Sequence, residues 1–256
     1  MSELKGIYAL WYRETKVFMR ERSRVISSII NPLLWLLIIG GGLGSAVSFS
    51  GVNFQTFIFP GILIQTALFS SVFFGVYIVW DKKIDFMKEV LVAPMRRTSV
   101  FVGKILGGST DTLLQVLILF VIGFILMVAG IMPDLHLTPL SVLVSLAFLL
   151  MATIGLVSVG LIIGSQMESP EGFQLIMSFL VFPLFFLSGA LFPISNLPAW
   201  LAPFIFINPM TYAVDGIRGV LISGQQFSLW FDFTLVCCFA LVMILFGTYA
   251  FKKMKL

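Results

Sequence analysis

Charge is scarce in this sequence, and so are the residues from which metal and disulfide sites are built. Only 11% of its 256 residues are Asp, Glu, Lys or Arg, whereas about 25% is usual for a soluble domain. Cys237 and Cys238 are the only cysteines and are adjacent, and His136 is the only histidine. The sequence therefore offers no disulfide framework and almost nothing from which to build a zinc site.

Apolar residues are abundant instead, making up 59% of the chain, with 27 Phe. They form six runs, each about as long as the ~20 residues that cross a bilayer: Val25–Ala46, Thr56–Trp80, Thr112–Ile131, Pro139–Ser165, Gly172–Leu191 and Leu229–Phe251. Because the runs show no strand-like alternation, they predict an all-α integral membrane protein with six transmembrane helices. We expect these spans to hold no ionisable side chain.

The positive charges predict how the helices are oriented. Of the 16 Lys and Arg residues, six precede the first run, six lie in residues 82–104 and three follow residue 251, whereas Arg218 stands apart. Six spans would place these three regions on one side of the membrane, which the positive-inside rule identifies as the cytoplasm. We therefore expect a multi-pass protein with both termini cytoplasmic.

The first 24 residues predict an amphipathic helix. Apolar side chains recur on one side at helical spacing: Leu4, Ile7, Tyr8, Trp11 and Phe18. Basic side chains recur on the other side: Arg13, Lys16, Arg20 and Arg24. Such a helix typically lies in the membrane interface with its apolar face toward the lipid. A plain basic tail that only sets topology is the alternative.

Residues 81–104 carry nine of the chain's charges. The segment Asp81–Leu91 has a helix-forming composition, with one apolar and one charged face, and Pro94 is expected to end the helix. Thr98 or Ser99 is expected to cap the helix that follows. On physical grounds this short helix is either a docking surface for another protein or a solvated loop whose charges set topology.

Residues 192–228 are apolar but interrupted. Pro198 and Pro203 break the run Leu197–Ile207, which is too short to span and therefore favours a re-entrant or interfacial segment. A second short helix is expected over Tyr212–Ser223, on which Asp215 and Arg218 are spaced to form an ion pair. A solvated loop is the alternative.

Smaller signals bear on helix packing and helix ends. Gly160-x-x-x-Gly164 in the fourth run predicts that two helices approach closely. Ser169-Pro170-Glu171 is typical of a helix start, so we expect the fifth span to begin there. Pro183 should bend that span.

Two longer blocks have a recognisable pattern: FMKEVLVAPMRRTSVFVGK at Phe86–Lys104, and FFLSGALFPISNLPAWLAPFIFINPMTYAVDGIRG at Phe185–Gly219. Both resemble the membrane subunits of type-2 ABC transporters, particularly the drug-resistance and nodulation-export branch. The resemblance covers essentially the whole chain as a single transmembrane domain, 1–256. It implies an interface helix (1–24), spans 1–5 with a coupling helix near 81–93 (25–191), an outer re-entrant segment (192–228), and the last span with a basic tail (229–256).

The resemblance also implies partners and roles. Two membrane subunits, as a homodimer in a prokaryotic cytoplasmic membrane, would each dock a separate ATPase subunit that binds ATP and Mg²⁺; no cofactor is expected in this chain itself. Coupling to the ATPase is implied for Lys83, Asp85, Phe86, Lys88, Glu89, Pro94, Arg96 and Arg97. The interface helix would act through Trp11, Arg13, Lys16, Phe18 and Arg20. The outer re-entrant motif comprises Ser188, Gly189, Phe192, Pro193, Leu197, Pro198, Trp200, Asn208, Pro209, Tyr212, Asp215 and Arg218. Asp85 departs from the pattern, since this branch commonly has Gly there; we expect the added charge to change how the helix meets its ATPase.

Other function classes fit less well. The sequence contains no G-x-x-x-x-G-K-[ST], H-E-x-x-H or G-x-S-x-G pattern, so we do not expect an enzyme with its own ATP site. An ion-coupled secondary transporter is the alternative, but such proteins usually need ionisable groups near the bilayer midplane. Nucleic acid is not expected as a partner, because the positive charge follows the membrane topology. The cargo stays open among amphipathic, lipid-like, drug and polysaccharide molecules.

Overall fold

The computed structural model describes residues 3–44, 48–49, 51–92, 94–194 and 198–253. Its helices, in chain order, are α1 (Glu3–Arg20), α2 (Arg22–Leu34), α3 (Gly40–Gly44), α4 (Phe54–Phe73), α5 (Val76–Lys83), α6 (Phe86–Val92), α7 (Arg97–Val128), α8 (Pro139–Gln166), α9 (Pro170–Phe186), α10 (Ala202–Ile207), α11 (Pro209–Ile222) and α12 (Leu229–Lys253). A π-helical turn at Trp35–Ile39 joins α2 to α3, and a 3₁₀ turn at Ala199–Leu201 precedes α10. A minimal antiparallel ladder pairs β1 (Ser48–Phe49) with β2 (Val52–Asn53).

Five segments within the described ranges are long and apolar enough to cross a membrane: Val25–Gly44, Phe54–Lys83, Arg97–Val128, Pro139–Gln166 and Leu229–Lys253. The predicted fifth span is shorter than expected, because α9 has only 17 residues and ends at Phe186. Ser169 caps α9 as predicted, accepting a hydrogen bond from the Gly172 N–H. Pro183 lies inside the helix, and Gly189 turns the chain just beyond it with a φ of 75°. The chain is therefore an all-α membrane protein, with α9 as a shorter apolar helix beside the five longer segments.

Helices α4 and α8 approach so closely that their backbones touch. A Cβ atom added to Gly160 would lie 2.2 Å from the carbonyl oxygen of Val72. One added to Gly75, in the turn between α4 and α5, would lie 2.0 Å from the carbonyl oxygen of Gly160. Only glycine fits at such distances, so the predicted Gly160-x-x-x-Gly164 pattern packs helices within the chain. Helix α4 is buried over nearly its whole length.

The expectation that the spans hold no ionisable side chain is wrong. Asp232 lies in the first turn of α12, inside the last predicted run, and is fully buried. Helix α7 begins at Arg97, well before Thr112, so that Lys104 and Asp111 also lie inside a spanning segment and are buried. Neither Thr98 nor Ser99 caps α7, because the helix starts before them and Ser99 instead donates to the carboxylate of Glu3.

Helix α1 lies along the N-terminal half of α7. Two glycines make room for it, since a Cβ at Gly103 would meet Leu10 and one at Gly107 would meet Glu14. The buried residues of α1 are Leu10, Glu14 and Phe18, four apart along one face. Leu4 and Tyr8, which were expected on the apolar face, are 77% and 60% exposed. The predicted helix is present, but it ends at Arg20 and its buried stripe faces α7.

Candidate functional site

Four charged side chains from three helices meet at one end of the bundle and form what we call the ion cluster: Arg13 and Glu14 of α1, Asp81 of α5 and Lys104 of α7. Lys104 Nζ lies 2.8 Å from Glu14 Oε1 and 2.6 Å from Asp81 Oδ2. Arg13 donates to the same two carboxylates, over 2.7 Å to Glu14 and 3.0 Å to Asp81. Two cations and two anions thus alternate, and they tie α1, α5 and α7 together.

Three members of the ion cluster are almost sealed from solvent, and the Arg13 side chain is 33% exposed. The Lys104 side chain is fully buried, and those of Glu14 and Asp81 are 3% and 5% exposed. Burial opposes ionisation of Glu14, but the Lys104 ammonium and the Arg13 guanidinium outweigh it and hold the pKa of this carboxyl below its ordinary value. Removing one partner would leave a buried charge uncompensated, which costs about 3–5 kcal/mol. The ion cluster therefore forms a rigid connection between α1, α5 and α7, which we call the stiff joint.

Helix α6 follows this joint through a short turn. The helix predicted over Asp81–Leu91 is broken instead: α5 ends at Lys83, α6 begins at Phe86, and Asp85 between them has a φ of 59°. Such a left-handed conformation suits glycine best, with Asn and Asp next. The left-handed backbone at Asp85 therefore explains why the family resemblance leads us to expect glycine at this position. The Arg13 guanidinium stacks on the Phe86 ring, 3.9 Å from its centroid, and so links α6 to the ion cluster.

The residues predicted to couple to an ATPase surround α6, and we call them together the α6 surface. Phe86 and Arg97 are half-buried, and the others are exposed: Lys83, Asp85, Lys88, Glu89, Pro94 and Arg96. Met87 and Val90 on the other face of α6 are buried. Lys82 is not part of this surface, because it donates to the carbonyls of Gly164, Ser165 and Met167 at the end of α8.

The predicted interface-helix residues divide between two sides of α1. Phe18 is buried, Arg13 belongs to the ion cluster, and Trp11 donates from Nε1 to Thr110 Oγ1 of α7 over 2.9 Å. Lys16 and Arg20 are exposed. Trp11 and Phe18, which the sequence pattern predicts to face lipid, are therefore engaged by the packing of α1 on α7.

At the opposite end of the bundle, hydrogen bonds connect successive helices of the second sequence block, Phe185–Gly219. Asn208 caps α11 by accepting from the Met210 N–H, and its Nδ2 donates to the Leu184 carbonyl over 2.7 Å. Tyr212 donates from its hydroxyl to the Phe206 carbonyl over 2.8 Å. These bonds join α9, α10 and α11.

The predicted ion pair between Asp215 and Arg218 does not form. Arg218 donates to the Gly189 carbonyl over 2.8 Å and lies over the Phe57 ring, 4.1 Å from its centroid. Asp215 accepts from the N–H groups of Gln226 and Phe227. Both charges are buried and bind backbone groups from other segments in place of each other, while Arg218 Nε has no hydrogen-bond partner within the described residues.

The remaining residues of the outer motif are spread over this end. Ser188 and Gly189 are buried, and Pro193 and Pro209 are half-buried. Phe192, Pro198 and Trp200 are exposed, whereas Leu197 lies outside the described residues. Trp200 is 71% exposed and is joined by exposed Phe204 and Ile207, so this end presents apolar side chains outward.

A polar cleft of about 420 Å³ runs between α2, α4, α7 and α9, and its volume lies within the range of about 300–1,000 Å³ that is usual for small-molecule sites. Each helix contributes polar side chains to its lining: Ser27 and Asn31 from α2, Gln65 and Ser70 from α4, Gln115 from α7 and Gln174 from α9. Phe69, Phe73 and Tyr77 supply an aromatic wall. None of the described residues that line the cleft is charged.

Sequence reasoning missed the ion cluster and the cleft. A signal existed for Lys104, because it follows Val100 and Phe101 on what becomes a buried face of α7. Glu14 is an acid between Arg13 and Lys16 on a face otherwise read as basic. The cleft combines side chains that are far apart in the sequence, and no local pattern indicates that they meet.

Comparison with known proteins gives matches over most of the chain. The profile of the ABC-2 type transporter membrane family matches residues 5–222. The chain is 28% identical to the transport permease ycf38 of Cyanophora paradoxa, over 97% of this chain and 88% of that protein. It is 25% identical to the doxorubicin resistance ABC transporter permease protein DrrC of Mycobacterium tuberculosis, over 82% and 74% of the two chains. Identity to nodulation protein J of Rhizobium meliloti is 22%, over 96% and 92%.

Proposed function

Because this chain belongs to the ABC-2 type transporter family of membrane proteins, we propose that it is the permease subunit of an ATP-driven exporter. A separate ATPase chain would bind ATP and Mg²⁺ and dock on the α6 surface. Two copies of the permease would pair in a prokaryotic cytoplasmic membrane, with both termini in the cytoplasm. The cargo would be an amphipathic, lipid-like, drug or polysaccharide molecule.

One observation supports the coupling role. The α6 surface is largely exposed and charged, and α6 contacts the ion cluster through Phe86. Arg13 contacts Phe86 of α6, Glu14 and Asp81. A force applied to α6 would therefore reach α1, α5 and α7 together. A solvated loop that only sets topology has no need of such a joint, because its charges act through the surrounding water and lipid.

The polar cleft supports the pairing of two copies. Asn31 of α2 lies inside the spanning segment Val25–Gly44, Gln174 lies in the apolar helix α9, and both side chains are exposed. Polar side chains of this kind are costly against hydrocarbon and usually face a protein interior or a water-filled cavity. A second copy placed over α2 and α9 would enclose the cleft as a path between the subunits.

Co-expression with an ATPase chain tests the proposal. The α6 variants Glu89→Lys and Phe86→Ala should insert normally but lose most of the ATPase stimulation and of the export seen with the unchanged permease. The exposed charge of Glu89 would fix the position of the ATPase on the α6 surface. Phe86 would provide an apolar anchor and also contacts Arg13. The measurements are ATP hydrolysis and cargo export in proteoliposomes.

Asp134→Lys is the matched control, since it reverses a charge at the opposite end of the bundle, where the ATPase cannot reach. It should leave coupling unchanged. Unaltered stimulation by both α6 variants would overturn the coupling role. A tagged permease that retains no ATPase chain under mild detergent would overturn the ATP-driven function.

A second candidate function is ion-coupled secondary transport, and Asp232 favours it. This carboxylate is fully buried in α12 and lies close to the buried carboxyl group of Asp215. Intramembrane carboxylates of this kind often mark proton or ion paths. Transport that persists after ATP depletion and stops with an uncoupler would select this function over the first.

A further inference from the structure

From the contacts of Lys82 we infer that this residue makes α9 follow the movement of α5 and α6, because its ammonium group binds the carbonyl end of α8. The inference rests on the proposed coupling role of the α6 surface and adds a positioning residue to it. Lys82 lies in the last turn of α5, four residues before the start of α6. It is half-buried, whereas lysines are mostly exposed.

The Lys82 ammonium group binds three backbone carbonyls where α8 ends. Its Nζ atom donates to the carbonyl oxygens of Gly164 and Met167, over 3.4 Å each, and to that of Ser165. The last carbonyls of a helix have no partner within the helix and form the negative end of its dipole. An ammonium group has three protons, so one Lys82 side chain supplies a donor for each of these oxygens.

Two acidic side chains add charge to the same contact. The carboxylate of Glu168, just beyond α8, attracts the Lys82 ammonium. The carboxylate of Glu171, in the first turn of α9, attracts the neighbouring Lys83. Both acids are exposed, so water weakens their attraction. The hydrogen bonds from Lys82 to the carbonyls therefore contribute more to the contact than these charges do.

The last turn of α5 thus contacts two different parts of the bundle. Asp81 belongs to the stiff joint with α1 and α7, and the next residue, Lys82, binds the segment between α8 and α9. Successive residues of a helix point about 100° apart, so the two contacts lie on different sides of α5. A rotation of α5 driven through α6 would therefore move the start of α9 as well as the stiff joint.

The start of α9 lies close to the polar cleft. Helix α9 begins at Pro170, three residues after Met167, and Gln174, about one turn further along, lines the cleft. A displacement of the first turn of α9 would thus move one wall of the cleft. Without Lys82, the ATPase would still dock on the α6 surface, but its movement would no longer reach this wall.

Hydrogen–deuterium exchange of the purified permease in nanodiscs tests the contact without an ATPase. Lys82→Gln keeps a polar side chain but removes the charge. Peptides over residues 164–176 should then exchange about tenfold faster, the effect of one lost charge-assisted hydrogen bond. Lys82→Arg keeps a cation and should retain most of the protection. Lys5→Gln makes the same change at an exposed lysine of α1 and should have no effect.

Proteoliposomes that contain the permease and its ATPase test the positioning role. Lys82→Ala should keep ATP hydrolysis but export about tenfold less cargo per ATP, for the same lost bond. Propylammonium in the buffer replaces the alkyl chain and ammonium group that this variant lacks, so it should restore part of the export. The uncharged 1-propanol, of similar size, should not. Rescue by the cation alone separates the binding of charge from the filling of space.

Unchanged exchange in Lys82→Gln would overturn the contact. Unchanged export per ATP in Lys82→Ala would overturn the positioning role while the ATP-driven function stands. Equal rescue by propylammonium and 1-propanol would overturn the cation-binding explanation. Failure of the unaltered permease to export with its ATPase present would instead reject the proposed function, and the positioning role of Lys82 with it.

Discussion

At the scale of single residues, Lys104 contributes more to the stability of the charged end of the bundle than any residue of the α6 surface does. It is fully buried and bridges two carboxylates on different helices. Lys104→Met should lower stability by about 3–5 kcal/mol, because Glu14 and Asp81 would then share only Arg13. The measurement is the fraction of monodisperse permease that remains after heating in detergent.

Lys88→Met is the matched control, since Lys88 is exposed and pairs with the exposed Asp85. It should change stability by less than about 1 kcal/mol. Adding Glu14→Gln and Asp81→Asn to Lys104→Met should recover part of the loss, because no buried carboxylate is then short of a cation and the remaining charge, Arg13, is one-third exposed to solvent. Equal stability of Lys104→Met and Lys88→Met would contradict the assignment of a stiff joint.

Asp85 gives a second prediction at this scale. Asp85→Gly should be neutral or mildly stabilising, whereas Asp85→Val should cost about 1–2 kcal/mol, because a β-branched residue resists the left-handed conformation. Lys88→Val in α6 is the control for the change in side-chain type. The comparison uses thermal midpoints, and a midpoint for Asp85→Val no lower than that for Lys88→Val would refute the conformational explanation.

At the scale of elements, the backbone contact between α4 and α8 is the tightest constraint. Gly160→Ala would place a Cβ against the Val72 carbonyl, and backbone cannot yield as a flexible side chain can. We expect a loss of about 1–3 kcal/mol and a reduced yield of folded protein. Gly42→Ala makes the same change where no atom lies within 4 Å, and it should match the unchanged permease in yield. Equal yields of the two variants would show that α4 and α8 pack less closely.

The elements also show what sequence could and could not predict. Long apolar runs predict helices because hydrocarbon leaves no other way to satisfy the backbone, and most of the expected helices are present. The partner of a given side chain depends on how helices meet. Arg218 was paired with Asp215 on spacing along one helix, but its partner is the Gly189 carbonyl, 29 residues away. The ion cluster and the cleft escaped prediction for the same reason.

At the scale of the whole molecule, the two ends differ in charge, and this difference predicts the orientation in the membrane. In a background with Cys237 and Cys238 replaced by Ser, Gln226→Cys should react with an impermeant maleimide on intact cells. Lys83→Cys should react only after permeabilisation, because the Lys- and Arg-rich end is expected inside. Both positions are exposed in the structure. The opposite labelling pattern would reverse the proposed topology.

The left-handed residue at the start of α6 has a mechanical consequence for the whole molecule. Helix α6 has seven residues and is therefore about 10 Å long, so a rotation of about 10° about Asp85 displaces its far end by about 2 Å. Packed helices commonly slide past one another by about 1–2 Å in switching proteins. The proposed ATPase would thus act on α6 as a short lever. The displacement of the far end of α6 would be similar to a shift that α1, α5 and α7 can follow while the charges of the ion cluster stay in contact.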